Sequence, residues 1–463
     1  MGLVALAGGL AAPMSMPVAR PQAVIAAAVP QGPAADVAAI SAQMAKSLAQ
    51  PGADTELSAF YAARGGRPLW TAQGRIAPEA VRLITLVRAS RADNLNPGDY
   101  RPDELDALVR TARSGQPEDL ATAELALTAT LASWGSDLHR SRPAAEALYT
   151  DAQFRPPSLS RQAALDAMGK APSLKAGLAQ VTRMNPLYMR LRDALQAQPS
   201  GPNAAVIRAN MERARALPVD LGRRFILVDV AAQRLWMYQD GQPVDSMKVV
   251  VGKPSDPTPA MAALVRYAVF RPYWNVPPDL VAHRMAPKVL KQGVGYFNGQ
   301  HLQALSNWDD AKAKVINPKR VNWRAVAAGR QTLRVRQLPF AGNMMGQVKF
   351  MFPNPKGVYL HDSPLRTFFS GEERLASAGC VRLEDAPRLG RWLLGDDVVE
   401  QGQGPGPAEQ RVNLPKPVPV YLAYLTAVPT KQGMSLRKDI YHRDAPLIAQ
   451  LDRSVHGAQF ASR

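Results

Sequence analysis

The sequence predicts an α+β chain with two unlike halves: an all-helical N-terminal domain, then a β-rich domain interrupted by a long insertion. Three observations predict it. From Asp36 to about Leu217, apolar residues recur at helical spacing between prolines that open or punctuate short helices. From near Leu221 the period shortens to that of strands, in FILVDV, RLWMY and VDSMKVVVG. Between two later β segments, His283 to Met345 is too long for an ordinary connection and reads as a lid or capping subdomain. The expected divisions are a signal-like and linker segment at 1–33, a helical domain at 34–217, a β-rich domain at 218–450 with 283–345 inserted, and a tail at 451–463.

Taken in order, Gly2 to Ala12 is apolar and small residues recur to Ala28 before a Pro/Gly-rich spacer, which reads as the core and cleavage zone of a secretory signal without a basic start. It is too short and too glycine-rich for a membrane span. Helices are expected to begin at Asp54, Pro78 and Pro117, because an acidic cap or a proline in the first turn suits a helix start. In the β half, Asp240-Gly241 is a hairpin turn, and LVRYAVF, QVKFMF, VYLH and PVYLAYLTAV continue a mostly antiparallel sheet.

The formal net charge of +18 points to anionic surroundings, but the basic residues are scattered and no nucleic-acid motif is present. A carboxylate-rich polymer or an anionic membrane surface fits the charge as well. No pair of histidines has zinc-ligand spacing and no Gly-rich phosphate loop precedes a helix, so no metal and no nucleotide cofactor is expected.

The chemistry concentrates in GVYLHDSPLRTFFSGEERLASAGCVR, Gly357 to Arg382. It holds Cys380, which is the single cysteine and so has no partner for an intramolecular disulfide, and His361 at the end of an alternating apolar run. A thiol acyl transferase needs such a set: a thiolate nucleophile, an imidazole to generate it, and small neighbours that let N–H groups face an oxyanion. Glu384, Asp385 and the run Leu389, Trp392, Leu393 suggest a helix immediately after Cys380, whose N-terminus would lower the thiol pKa.

This stretch resembles the signature of the YkuD-type L,D-transpeptidases, a histidine followed by Ser-x-Gly-Cys-aliphatic-Arg, and is closest to the YcbB-like branch. Ala378 stands where a histidine is commoner, so His361 must act as base alone. FYAARGGRPLW and NMERARALP resemble the opening and closing parts of that branch's scaffold domain; KVVVGKPSDPTPAM, FRPYWNVP and RQLPFAGNMMG resemble parts of its catalytic domain. The glycine-aspartate turns of its peptidoglycan-binding module are missing.

The resemblance implies an exported, periplasmic enzyme that joins peptidoglycan stem peptides through a Cys380 thioester. The backbone carbonyl of Asp362 would orient His361, and the N–H groups of Ala378, Gly379 and Cys380 would hold the oxyanion. Arg382, Ser377, Tyr359, Trp274 and Asn343 would contact substrate, and a carbapenem would acylate the thiol. The cross-link type stays open between 1,3 and 3,3, as does oligomeric state. Resolution of the thioester by water, giving an L,D-peptidase, and a non-catalytic wall-binding scaffold are the alternatives.

Overall fold

The computed structural model describes residues 32–456 apart from 143, 144, 146, 311, 431 and 432, so nearly all of the signal-like segment lies outside the described residues. Contacts divide the chain into a helical unit, taking the chain up to Ala147, Pro156–Leu221 and the segment from Leu425 on, and a β-rich unit, taking Leu148–Arg155 and Gly222–Tyr424. The boundaries therefore differ from those expected. Residues 425–450, assigned to the catalytic domain by sequence, fall with the helices, because Ala209, Leu447 and Leu451 share one apolar cluster and Arg213 pairs with Asp444 at 2.6 Å. Asp444–His456 is a helix, where a tail was expected from 451.

The helices of the first unit start where local chemistry dictates. Asp54 caps Thr55–Ala63 by accepting from the N–H groups of Glu56 and Leu57, and Pro78 and Pro117 occupy the first turns of Pro78–Arg88 and Pro117–His139. The last of these buries Leu120, Leu127, Leu131 and Trp134. Its Glu124, fully buried, accepts from Trp70 N–H at 2.8 Å and the Tyr61 hydroxyl at 2.8 Å, which fixes the FYAARGGRPLW segment. The unit is not purely helical. Short hairpins occur at Thr71–Ala72 with Arg75–Ile76 and at Ala427–Thr430 with Gly433–Leu436.

In the β-rich unit the hydrogen-bonded path runs Val348–Met351, Leu360–His361, Val381–Leu383, Gln242–Gly252, Arg234–Gln239, Arg224–Asp229, Gln410–Ala423, Met261–Phe270. Met261–Phe270 pairs again with Val348–Met351, so the sheet closes on itself and leaves no edge along this path. Most pairings are antiparallel, and Asp240-Gly241 makes the expected two-residue turn. Leu360–His361 with Val381–Leu383 and Arg224–Asp229 with Gln410–Ala423 are parallel.

A second sheet of four strands, in the order Val315–Ile316, Leu302–Leu305, Arg334–Gln337, Trp274–Val276, forms the inserted cap. It has a core of its own, including Val276, Val281, Phe297, Trp323, Val326 and Val335. The cap thus starts at Trp274 rather than at His283, because the cap's edge strand lies in a segment that reads as ordinary core β sequence.

Candidate active site

One parallel pairing brings the histidine and the cysteine together. Leu360 is in register with Val381 and His361 with Arg382, and Val381 N–H donating to Tyr359 O at 3.1 Å extends the ladder one step back. In-register residues of parallel strands share a face, and faces alternate along each strand. Leu360, Val381 and Leu383 therefore share one face and are completely buried. The other face takes Tyr359, His361, Cys380 and Arg382.

The thiol is not at a helix N-terminus, contrary to the sequence expectation. Val381–Leu383 is a strand, and the next helix begins only at Ala386 with Asp385 as its cap. The alternation Val381, Arg382, Leu383 satisfies a buried strand better than a helix start. Without the helix dipole, burial dominates and pushes the Cys380 thiol up; the backbone N–H and hydroxyl of Tyr359, and then Arg382, pull it down only in part. The thiol also lies 3.6 Å from Gly357 O.

His361 is buried, and its Nδ1 lies 2.6 Å from the backbone oxygen of Asp362, the group assigned to orient it. A carbonyl can only accept, so Nδ1 carries the proton and Nε2 presents a bare lone pair. Burial, then the Arg382 guanidinium and more weakly Lys349, lower the imidazole pKa to about 3 against the raising effect of the Asp362 carbonyl. The resting pair is accordingly a neutral thiol and a neutral imidazole. Asp362 is itself fixed, since its carboxylate accepts from Gln347 N–H at 3.0 Å and pairs with Arg366 at 3.2 Å.

The loop before Cys380 is braced from below. Gly379 has φ +103°, a conformation that favours glycine. Its carbonyl accepts from Thr258 Oγ1 at 2.9 Å, while Thr258 Oγ1 accepts from Gly252 N–H at 2.9 Å. Ser377 Oγ donates to Cys380 O at 2.5 Å and accepts from Gly379 N–H at 3.2 Å. This corrects two assignments. The Gly379 N–H is already engaged, which leaves the N–H groups of Ala378 and Cys380 without acceptors among the described residues. Ser377 is a buried brace of the loop and does not face substrate.

Three further assignments change. Asn343 is fully buried and holds its own turn, donating to Leu338 O at 2.9 Å and accepting from Met345 N–H at 2.7 Å. Trp274 packs against the cap's core, as does Tyr296, and Trp323 is buried there with its indole N–H donated to Pro318 O at 2.8 Å. Tyr359, assigned to substrate, lies edge-on to the His361 ring at 5.6 Å between centres, and its proximity lowers the thiol pKa in part. The Nε and Nη1 of Arg382 are buried without hydrogen-bond partners, and its guanidinium lies 5.0 Å from the Phe368 ring centre. Sequence reasoning missed Thr258, although KPSDPTPAM pointed to its segment, and missed Lys349 and Glu409, for which no local signal exists.

Against models of known families, residues 55–195 match a Scaffold domain and residues 223–404 match the YkuD model, described as an L,D-transpeptidase catalytic domain. The second match contains the whole Tyr359, His361, Cys380, Arg382 face. The chain carries a YkuD-type L,D-transpeptidase catalytic domain. A relative in Haemophilus influenzae, named "Putative L,D-transpeptidase", is 29% identical over 239 residues, covering 51% of this chain and 47% of the relative. The chain thus spans about half the length of the curated relative it matches. Among solved structures, an L,D-transpeptidase from Mycobacterium smegmatis is similar at 14% identity and TM-score 0.21, covering 43% of this chain and 58% of that one. The catalytic domain of the Enterococcus faecium L,D-transpeptidase is similar at 18% identity and TM-score 0.17, covering 43% of this chain and 95% of that one. Among the described residues the L,D-transpeptidase unit has no cluster of side chains fit to hold a metal.

Proposed function

We propose that this protein is a peptidoglycan L,D-transpeptidase acting through a Cys380 thioester. The observation that carries the reading is the register that puts Cys380 and His361 on one face while the Asp362 carbonyl leaves Nε2 free to accept a proton. His361 Nε2 takes the Cys380 proton as sulfur attacks the carbonyl of an L-residue in a stem peptide. The N–H groups of Ala378 and Cys380 receive the oxyanion, a contribution worth on the order of a hundredfold in rate per donor. The imidazolium, destabilised by burial and by Arg382, returns its proton to the departing D-amine. An amine of a second stem then resolves the thioester. Arg382, a cation with no carboxylate of its own, is the receptor for a stem carboxylate.

The cap serves as a lid that holds the stem and keeps water from the thioester. Peptidoglycan as substrate places the protein in the periplasm, where a basic surface suits a carboxylate-rich wall. Two donor bonds have the required L-acyl to D-amine form, diaminopimelate–D-Ala and L-Ala–D-Glu, giving 3,3 and 1,3 cross-links respectively. The test is mass analysis of muropeptides after incubating purified protein with disaccharide peptides. Dimers are expected, and their masses separate the two bonds. Tripeptide without dimer would make the enzyme a hydrolase, and no product with no thiol acylation would overturn the reading altogether.

A further inference from the structure

Two cations flank the imidazole, and the proposed reaction steps use only one of them. Lys349 is in register with His361 across the antiparallel pair Val348–Met351 and Leu360–His361, while Arg382 is in register with it on the other side. Val348 and Phe350 bury on the apolar face with Leu360, so the alternation puts the Lys349 side chain on the face of His361. Unlike Arg382, Lys349 has a counter-ion. Its Nζ lies 3.2 Å and 3.3 Å from the two carboxylate oxygens of Glu409. Glu409 Oε1 also accepts the N–H of Tyr273 at 2.5 Å, immediately before the first cap strand, Trp274–Val276. The groups that face His361 are thus Arg382 and Cys380 from one neighbouring strand, Lys349 with Glu409 from the other, and Tyr359 on its own strand. The Asp362 carboxylate is occupied by Gln347 and Arg366.

We propose that Glu409 and Lys349 are positioning residues for acyl transfer: Glu409 neutralises the ammonium that stands opposite His361, and the same carboxylate ties the cap's first strand to the catalytic face. The inference rests on His361 being the base. An unpaired ammonium in that position opposes formation of the imidazolium, whereas a paired one leaves mainly Arg382 to set the basicity of the ring. A carboxylate shared between Lys349 and the Tyr273 N–H also couples the position of the cap strand to the charge beside the base.

The test is the rate at which a carbapenem acylates Cys380, followed by loss of β-lactam absorbance from pH 4 to 9 and checked by intact mass. Glu409→Gln keeps the shape and the acceptor for Tyr273 N–H but removes the charge. Its rate at neutral pH is expected to fall about tenfold, the effect of one unit lost in base strength. Lys349→Met leaves the carboxylate without its cation, so a new acid limb should enter the profile from below pH 7. The double variant should return to within about threefold of wild type, because coupled neighbours do not add. Lys349→Arg should keep the wild-type profile, which a packing role that depends on lysine's shape would not. An unchanged Glu409→Gln rate, or a double variant as slow as Glu409→Gln with an unshifted profile, would overturn the proposal. Should one variant fail to fold, Lys349→Met and Lys349→Arg read the same charge without it. If the wild-type protein forms no adduct, the assigned chemistry itself fails, an outcome separate from unaffected variants of an active enzyme.

Discussion

In the helical unit, buried Glu212 is met by Arg215 at 3.2 Å and Arg142 at 3.5 Å, and buried Asp93 by Arg192 at 2.9 Å and the Tyr188 hydroxyl at 2.9 Å. In the L,D-transpeptidase unit, by contrast, the Arg382 guanidinium has no carboxylate partner among the described residues. Burying a charge is costly in either place, but pairing offsets that cost only in the first. The paired charges hold helices together. The unpaired charge of Arg382 lies on the face that carries Cys380 and His361.

The sharpest way to break this comparison is at the nucleophile. Cys380→Ala should lower cross-linking by at least about 10⁴-fold with the fold retained, and His361→Ala should lose nearly as much, with the double variant no worse because the two act as one unit. Dimeric muropeptides counted by mass spectrometry decide it. Any substantial dimer from Cys380→Ala would end the mechanism proposed above.

The next test sets the two arginines side by side. Arg215→Met should destabilise the protein by about 3–5 kcal/mol, since it removes the nearer of the two guanidinium groups that pair with buried Glu212. Arg382→Met should leave the urea midpoint almost unchanged yet lower kcat/KM for a stem peptide on the order of a hundredfold, the loss of a charge-assisted substrate contact. Equal effects on stability would dissolve the distinction between the paired and the unpaired arginine.

A smaller effect concerns pH. Because the His361 pKa is depressed to about 3 from an ordinary 6.5, the unfolded chain binds a proton there that the native state refuses. Its contribution to stability is therefore complete above about pH 6.5 and is lost progressively as pH falls toward 3. Stability of His361→Gln should show a shallower acid slope in that window. Over the same range, carbapenem acylation in the wild type should climb toward alkaline pH with the raised Cys380 thiol and show no step at the usual histidine pKa.

The mildest perturbations test the braces. A methyl on Gly346 would collide with the Asp362 carboxylate, so Gly346→Ala should displace the segment that orients His361, costing about 1–3 kcal/mol and much of the activity. Thr258→Val removes two hydrogen bonds beneath Gly379 and should cost about 1–3 kcal/mol, read by thermal unfolding, with acylation slowed by several-fold. If Thr258→Val acylated at the wild-type rate, the loop would need no support from below.

The α+β division, the helix starts at Asp54, Pro78 and Pro117, the hairpin at Asp240-Gly241 and the stretch holding His361 and Cys380 were legible in the residues themselves. Each depends on caps, prolines, turn geometry or chemical type within a few residues of chain. What the chain alone left undecided is long-range. The strand after Cys380 hid behind two acidic residues, of which Glu384 accepts from the Lys248 N–H and only Asp385 caps the helix at Ala386, and pairing with Leu360–His361 and Gln242–Gly252 selects the extended form there. That pairing removes the helix dipole from the thiol and reverses its pKa shift. Trp274 and Asn343 carry side chains fit for binding, yet tertiary packing spends both on the cap and its return segment. Lys349 and Glu409, sixty positions apart, become neighbours because the sheet closes. Composition and spacing singled out Cys380 and His361; register decided which groups face them, since a shift of one residue along a strand would move every side chain to the opposite face.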